Sequence, residues 1–295
     1  MEMLREQAFV AGLTELNFAE GPPSGPPLVL LHGGGDRWQF FLPIIPTLAM
    51  RWHVYALDLR GHGRSGRVPG RYRPEDYVPD ITAFLDRQVT ERAVLFGHSL
   101  GGWIALMVVV ERMEKVRALI LGDPPLCMER WVAIEGSEER VASYRALRGL
   151  VGSGLSVPEL AAALADLPVS VPGQGALMRY GDLPGRDAAH LRGWAKTLSQ
   201  VDPDVAQYQA EGRMDEYVQK VDLDAALQRM TCPVLLLQGD PSHGGVLSDG
   251  DVKHALSLLP DGLTVKLQGT GHDLGLATWT VAPLLRAVTD FLESL

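Results

Sequence analysis

Short apolar runs alternate with segments of helical period at both ends of this chain. That alternation restricts it to a mostly parallel sheet covered by helices. The runs are Val29-Leu30-Leu31, His53-Val54-Tyr55-Ala56-Leu57, Ala93-Val94-Leu95-Phe96, Val116–Leu121, Pro233–Leu237 and Leu263–Leu267. Between them, Tyr77 to about Gln88, Leu100 to about Val110 and Asp251–Leu259 repeat apolar residues at helical spacing. A last helix runs to Leu295, with Pro283 expected in its first turns, where a missing N–H costs little. Strands this uniformly apolar are buried on both faces, which is the α/β class.

From about Cys127 to Arg229 the pattern changes. Val141–Val151, Val157–Leu167, Ala188–Leu198 and Met214–Val221 read as amphipathic helices, interrupted at Pro168, Pro172, Gly173 and Pro184-Gly185, and no buried strand is expected. With 295 residues the chain can hold one large domain or a core with an insert. The expected division is a core in two parts, 1–126 and 230–295, around a helical insert at 127–229.

Composition narrows the partners. The net charge of −9, from 27 basic and 36 acidic residues, gives no attraction to nucleic acid or an anionic membrane surface. Cys127 and Cys232 are far apart, fit no metal or redox spacing, and are expected as unpaired thiols. Met1-Glu2-Met3-Leu4-Arg5-Glu6 carries acids where a signal peptide starts basic and apolar. No apolar stretch approaches the roughly 18–20 residues that span a bilayer. The expectation is a soluble cytoplasmic protein, monomer or homodimer, acting on a small molecule.

The chemistry begins at Gly97-His98-Ser99-Leu100-Gly101, between the apolar strand at 93–96 and the helix from Leu100. A G-x-S-x-G in that context is a nucleophile elbow, a tight turn that lifts a serine hydroxyl above the sheet. Three further motifs occur in order: His32-Gly33-Gly34-Gly35 after the first run, Asp58–Ser65 after the second, and Gly269-Thr270-Gly271-His272 after the last. Over nearly its whole length the chain therefore resembles the α/β-hydrolase fold family, in the branch with a helical cap between core strands six and seven.

The resemblance implies roles by position. Ser99 is the nucleophile and His272 the base that takes its proton. The acid that orients the imidazole is open. The family's commonest pattern, three residues past the glycine ending the seventh core strand, lands on Ser242, which cannot serve. Asp123, ending the sixth strand, is favoured, as in haloalkane dehalogenases and zearalenone-lactone hydrolases, with Asp240 after Gly239 as the alternative. Gly34 and Leu100 would donate N–H groups to an oxyanion. Trp38 and His98 are candidates for substrate contact, with Phe40 beside them; His32 and His98 also sit in loops they are suited to brace, and His62 belongs to a turn. No HExxH, Cys/His cluster, Walker loop or dinucleotide fingerprint occurs, so no metal or cofactor is required.

The function expected is hydrolysis of a carboxylic ester or lactone of a mostly apolar small molecule through an acyl-enzyme. Other chemistries share the scaffold: carbon–carbon bond hydrolysis of ring-fission products, cofactor-free oxygenation or perhydrolysis, and non-catalytic ligand reception. Many carbon–carbon hydrolases carry a tryptophan soon after the histidine, whereas Asp273-Leu274-Gly275 follows here and Trp279 lies farther on.

Overall fold

The computed structural model describes residues 4–170, 177–183 and 185–295. The chain opens with strands β1 (Arg5–Ala11) and β2 (Thr14–Glu20), then β3 (Pro27–Leu31), helix α1 (Ile45–Leu48), β4 (His53–Leu57), α2 (Pro74–Arg87), β5 (Ala93–His98), α3 (Leu100–Glu111) and β6 (Val116–Gly122). Next come α4 (Met128–Glu135), α5 (Glu138–Val151), α6 (Val157–Ala165), the short strands β7 (Pro168–Ser170) and β8 (Leu177–Arg179), α7 (Ala188–Leu198), α8 (Gln207–Glu211), α9 (Met214–Tyr217) and α10 (Leu223–Gln228). The chain then returns as β9 (Val234–Gly239), α11 (Asp249–Leu258), β10 (Gly262–Leu267) and α12 (Ala282–Glu293).

Among the described residues, eight strands form one sheet in the order β1-β2-β4-β3-β5-β6-β9-β10. Pairing is antiparallel for β1–β2 and β2–β4 and parallel from β4 onward. The two-residue period divides each central strand between two cores. Val29, Leu31, Leu95, Leu119 and Leu121 pack with α2 and α3 on one face. Leu28, Leu30, Val94, Phe96, Ala118 and Ile120 pack with α1 and α12 on the other. Each fully buried side chain of this kind contributes about 1.5–3 kcal/mol, so the runs of β3, β4, β5, β6 and β9 are the backbone of the stability, whereas the run at Leu263–Leu267 forms the edge strand β10 and is exposed at Leu263 and Thr264. This is the α/β-hydrolase architecture, a mostly parallel sheet flanked by helices, and the expected fold class holds.

Three departures from the sequence reading have local causes. The β1–β2 hairpin was not legible: it turns at Gly12, with φ +69°, and Leu13, and holds Phe9 and Phe18 against Phe84 of α2. The helix expected over 214–221 stops at Tyr217, because Asp222 caps a new helix by accepting from the Ala225 N–H at 3.0 Å. Likewise α6 ends at Ala165, short of Leu167, because the residue before Pro168 disfavours helical angles. The breaks expected at Pro172, Gly173 and Pro184 lie outside the described residues, as does the Met1-Glu2-Met3 start. Both cysteines are free, Cys232 buried and Cys127 half-buried. Among the described residues no helix is long and apolar enough to cross a membrane.

Candidate active site

Ser99 sits at the β5–α3 turn with φ +52° and ψ −118°, a strained conformation for a residue with a side chain, costing about 1–3 kcal/mol. The neighbours over-determine it. Ser99 N–H donates to the Gly122 carbonyl at 3.0 Å, and its own carbonyl accepts from Gly102 at 2.9 Å. A Cβ at Gly97 would lie 2.2 Å from the Gly101 carbonyl oxygen, and one at Gly101 would lie 2.2 Å from that of Leu31. Only glycine fits either place, so the pentapeptide's spacing follows from the turn.

The loop after β3 lies over this elbow. A Cβ at Gly33 would sit 3.2 Å from Ser99 Cβ, and one at Gly34 would sit 3.8 Å from the Leu100 side chain. Leu100 opens α3, so its N–H is one of the four that a helix leaves free. Two buried histidines and an aspartate fix the loop. His32 Nδ1–H donates to the Gly33 carbonyl at 2.7 Å while Nε2 accepts from the Leu59 N–H at 3.0 Å. His62 Nδ1–H donates to the Arg60 carbonyl at 2.9 Å and Nε2 accepts from Gly35 at 3.1 Å. Asp58 Oδ1 accepts from the Trp38 N–H at 2.7 Å. Burial lowers His32 to about 4 and His62 to about 3, so both are neutral braces.

His272 follows β10, and its Nδ1–H donates to Asp123 Oδ2 at 2.8 Å. Asp123 is fully buried, at φ +47°, and accepts three backbone N–H bonds, from Gly239 at 3.0 Å, Val246 at 2.7 Å and Leu247 at 3.1 Å. These donors replace water around the carboxylate. Asp240 is occupied elsewhere: it accepts from Ser242 Oγ at 2.7 Å, Ser242 N at 3.0 Å and Gly269 N at 3.1 Å. Those bonds, the Ser242 hydroxyl first, hold its carboxyl well below the usual carboxylate range. The structure thus brings Asp123 to the imidazole and leaves Asp240 shaping the turn after β9.

A cavity of about 270 Å³ is lined by Gly34, Ser99, Leu100 and His272 from the sheet half and by Trp131, Arg140, Tyr144, Gln209 and Tyr217 from the helical segment. Trp38 and His98 are not among its lining residues. Trp38 is buried in the core beneath the loop. His98 is buried with its ring 4.7 Å from Phe40 and 4.8 Å from His272, and its Nε2–H donates to the His272 carbonyl at 2.7 Å. Its ring therefore positions the His272 loop and does not meet the cavity; burial lowers it to about 3. Phe40 stacks on it there. Sequence reasoning missed the cavity-facing Trp131, Arg140, Gln209 and Tyr217, because polar and aromatic residues on amphipathic helices look the same whether they face a cavity or solvent. His62 left a weak signal, the glycines at 61 and 63 that flank it with positive φ. Among the described residues no group of three or more His, Cys, Asp or Glu is disposed to hold a metal ion.

A model of the alpha/beta hydrolase family matches residues 28–282. The chain is 26% identical over 275 residues to a 2-(acetamidomethylene)succinate hydrolase of Mesorhizobium japonicum, covering 92% of this chain and 89% of the relative. Its fold is similar to that of a thermophilic esterase from Thermogutta terrifontis, with a TM-score of 0.71 and 19% identity over 98% of both chains. It is also similar to an N-acyl homoserine lactonase, with a TM-score of 0.66 and 17% identity over 99% of this chain and 97% of that one. At such identities the two structural likenesses bear on the fold alone.

Proposed function

The chain belongs to the alpha/beta hydrolase family, and we propose that it hydrolyses a carboxylic ester or lactone of a small, mostly apolar molecule through an acyl-enzyme on Ser99. The observation that carries this reading is that His272, bonded through Nδ1 to buried Asp123, shares one cavity with Ser99. With Nδ1 so engaged, Nε2 is the nitrogen left to take the serine proton. Ser99 Oγ attacks the carbonyl carbon as that proton passes to His272. The N–H groups of Gly34 and Leu100 receive the negative charge on the carbonyl oxygen, each worth roughly 3–4 kcal/mol in the transition state. The C–O bond to the leaving group breaks as His272 returns the proton to the alkoxide. Water then attacks the acyl-enzyme by the same route and frees the acid and Ser99.

We read 127–229 as a cap on a core formed by 1–126 and 230–295, a division supported by the cavity drawing walls from both. Cavities for small molecules run roughly 300–1,000 Å³, so a volume of about 270 Å³ favours a compact ester over a long-chain lipid. The names of the relatives, an esterase, a lactonase and a succinate-derivative hydrolase, are compatible with acyl transfer at this site. The test is p-nitrophenyl butyrate turnover in Ser99→Ala. A fall of about 10⁵–10⁶-fold in kcat is expected, with fluorophosphonate labelling of the parent protein at Ser99; turnover that survives the substitution would refute the mechanism.

A further inference from the structure

Four helices of the 127–229 segment close one part of the cavity. α5 packs on α4 and α8, and α9 packs on the same two. Trp131, Tyr144, Gln209 and Tyr217, one from each, therefore meet around it. The Trp131 ring stands edge-on to Trp103, with centroids 6.2 Å apart, and Trp103 lies one helical turn past Ser99 on α3. One aromatic ring thus links this region to the elbow.

Among the described residues, Trp131 Nε1 and Gln209 Oε1 are buried without a hydrogen-bond partner, and both side chains line the cavity. Buried polar groups in folded proteins nearly always have a partner. A lone donor and a lone acceptor in one cavity match a ligand group that can serve both.

Charge selects further among such groups. The Arg140 guanidinium is already matched by buried Glu135, at 2.8 Å, which also accepts from the Tyr144 hydroxyl at 2.6 Å. Arg148, also on the wall, is matched by Asp204 at 2.7 Å, and the buried acid Asp202 lines the same cavity. An incoming carboxylate would meet Asp202 in the wall and the Glu135 charge behind Arg140, with no unmatched cation on the wall among the described residues, and it would oppose Gln209 Oε1 as acceptor against acceptor. We propose that the substrate carries, away from its scissile bond, a neutral hydroxyl seated between Trp131 Nε1 and Gln209 Oε1, accepting from the first and donating to the second. The scissile bond itself rests on the ester or lactone reading above; the hydroxyl does not.

The test uses three p-nitrophenyl 3-arylpropanoates whose ring bears hydrogen, a 4-hydroxyl or a 4-carboxylate. The 4-hydroxyl ester is expected to show about tenfold higher kcat/KM than the unsubstituted one, and the carboxylate to fall below both. That ratio should drop to near one in Trp131→Phe and in Gln209→Met. A second arm titrates 4-propylphenol, propylbenzene and 4-propylbenzoate into the Ser99→Ala protein by calorimetry, with the phenol expected to bind about tenfold tighter than propylbenzene and that advantage lost on adding either substitution. Equal binding of the two, preference for 4-propylbenzoate, or a hydroxyl preference that survives both substitutions would overturn the inference. If none of the esters turns over while the phenol preference holds, the ester reading fails and this inference stands.

Discussion

Asp123 and Asp240 end neighbouring parallel strands, β6 and β9, yet their carboxylates are bonded to different things. Asp123 Oδ1 accepts from Gly239 and Leu247, and Oδ2 accepts from Val246 and His272. Every lone pair pointing inward meets a donor. An asparagine there must turn an NH₂ group onto N–H donors, and facing His272 it would force the other imidazole tautomer. Asp123→Asn is therefore expected to lose about 10³–10⁴-fold in kcat/KM on p-nitrophenyl butyrate. It should also lose about 1–3 kcal/mol of stability from the mismatched buried bonds. Asp240→Asn disturbs only the turn that carries Ser242 and its tie to Gly269 after β10, and its kcat/KM is expected to stay within about tenfold of the parent. Steady-state kinetics on the two variants side by side decide the matter, and comparable losses in both would contradict these roles. Counting residues could not separate the two acids. The loop after β9 folds back so that Val246 and Leu247 reach Asp123, and Gly245 packs where a Cβ would lie 2.4 Å from Gly239. That course depends on packing between strands far apart in sequence.

Elements were legible in proportion to how fully they are buried. Strands β3, β4, β5, β6 and β9 show as apolar runs because both faces are covered, β10 shows although as an edge strand it exposes Leu263 and Thr264, and α2 and α3 show because a stripe or more of each is core. The edge hairpin β1–β2 was illegible, since β1 alternates with exposed residues and signals no more than a turn-rich start. In the 127–229 segment, apolar residues are divided among the cavity, the core and contacts between the helices themselves, as where α6 packs on α7. Helices of four to eight residues such as α9, α8, α10 and α4 then give too few turns for a period to emerge. One tie between these elements is unusually local. Arg37, in the loop that carries Gly34, donates from Nε to Thr197 Oγ1 at 3.2 Å and from Nη1 to Gln200 Oε1 at 3.1 Å. This clasp joins the loop to α7 and the turn after it. In Arg37→Ala, KM for p-nitrophenyl butyrate is expected to rise about three- to tenfold with kcat changed less than about twofold, since the His62 and Asp58 braces on the loop remain. A fall in kcat as large as the rise in KM would show that Arg37 holds Gly34 itself. Unchanged KM would show that the clasp has no part in binding.

At the scale of the whole molecule, the same site sets a limit on acid stability. His32, His62 and His98 are all buried beneath the Ser99 cavity, with backbone groups as their hydrogen-bond partners. Burial lowers them to about 4, about 3 and about 3 from an ordinary 6.5. The unfolded chain binds their protons below pH 6.5 and the folded chain does not, so stability is full above pH 6.5 and falls as the pH drops toward the folded values. At pH 5 the loss is roughly 2 kcal/mol for each histidine, or about 6 kcal/mol for the three. Folded domains hold only about 5–15 kcal/mol in total, so this is a large share. The depressed carboxylates Asp240, Asp249 and Asp251 act with the same sign, but in a lower window, below the ordinary carboxylate range. Asp36, pushed up to about 7 by burial, takes up a proton in the same interval with the opposite sign and offsets part of the loss. Three histidines outweigh one carboxyl, so urea midpoints are expected to drop between pH 7 and pH 5, and a flat profile over that interval would contradict the buried neutral histidines. Activity separates this from titration of the reacting groups themselves. Loss caused by protonating the site is immediate and returns at once on restoring pH 7. Loss caused by opening the three-histidine core develops with time at pH 5, and a ligand that fills the cavity slows it, because binding to the folded state alone adds to its stability.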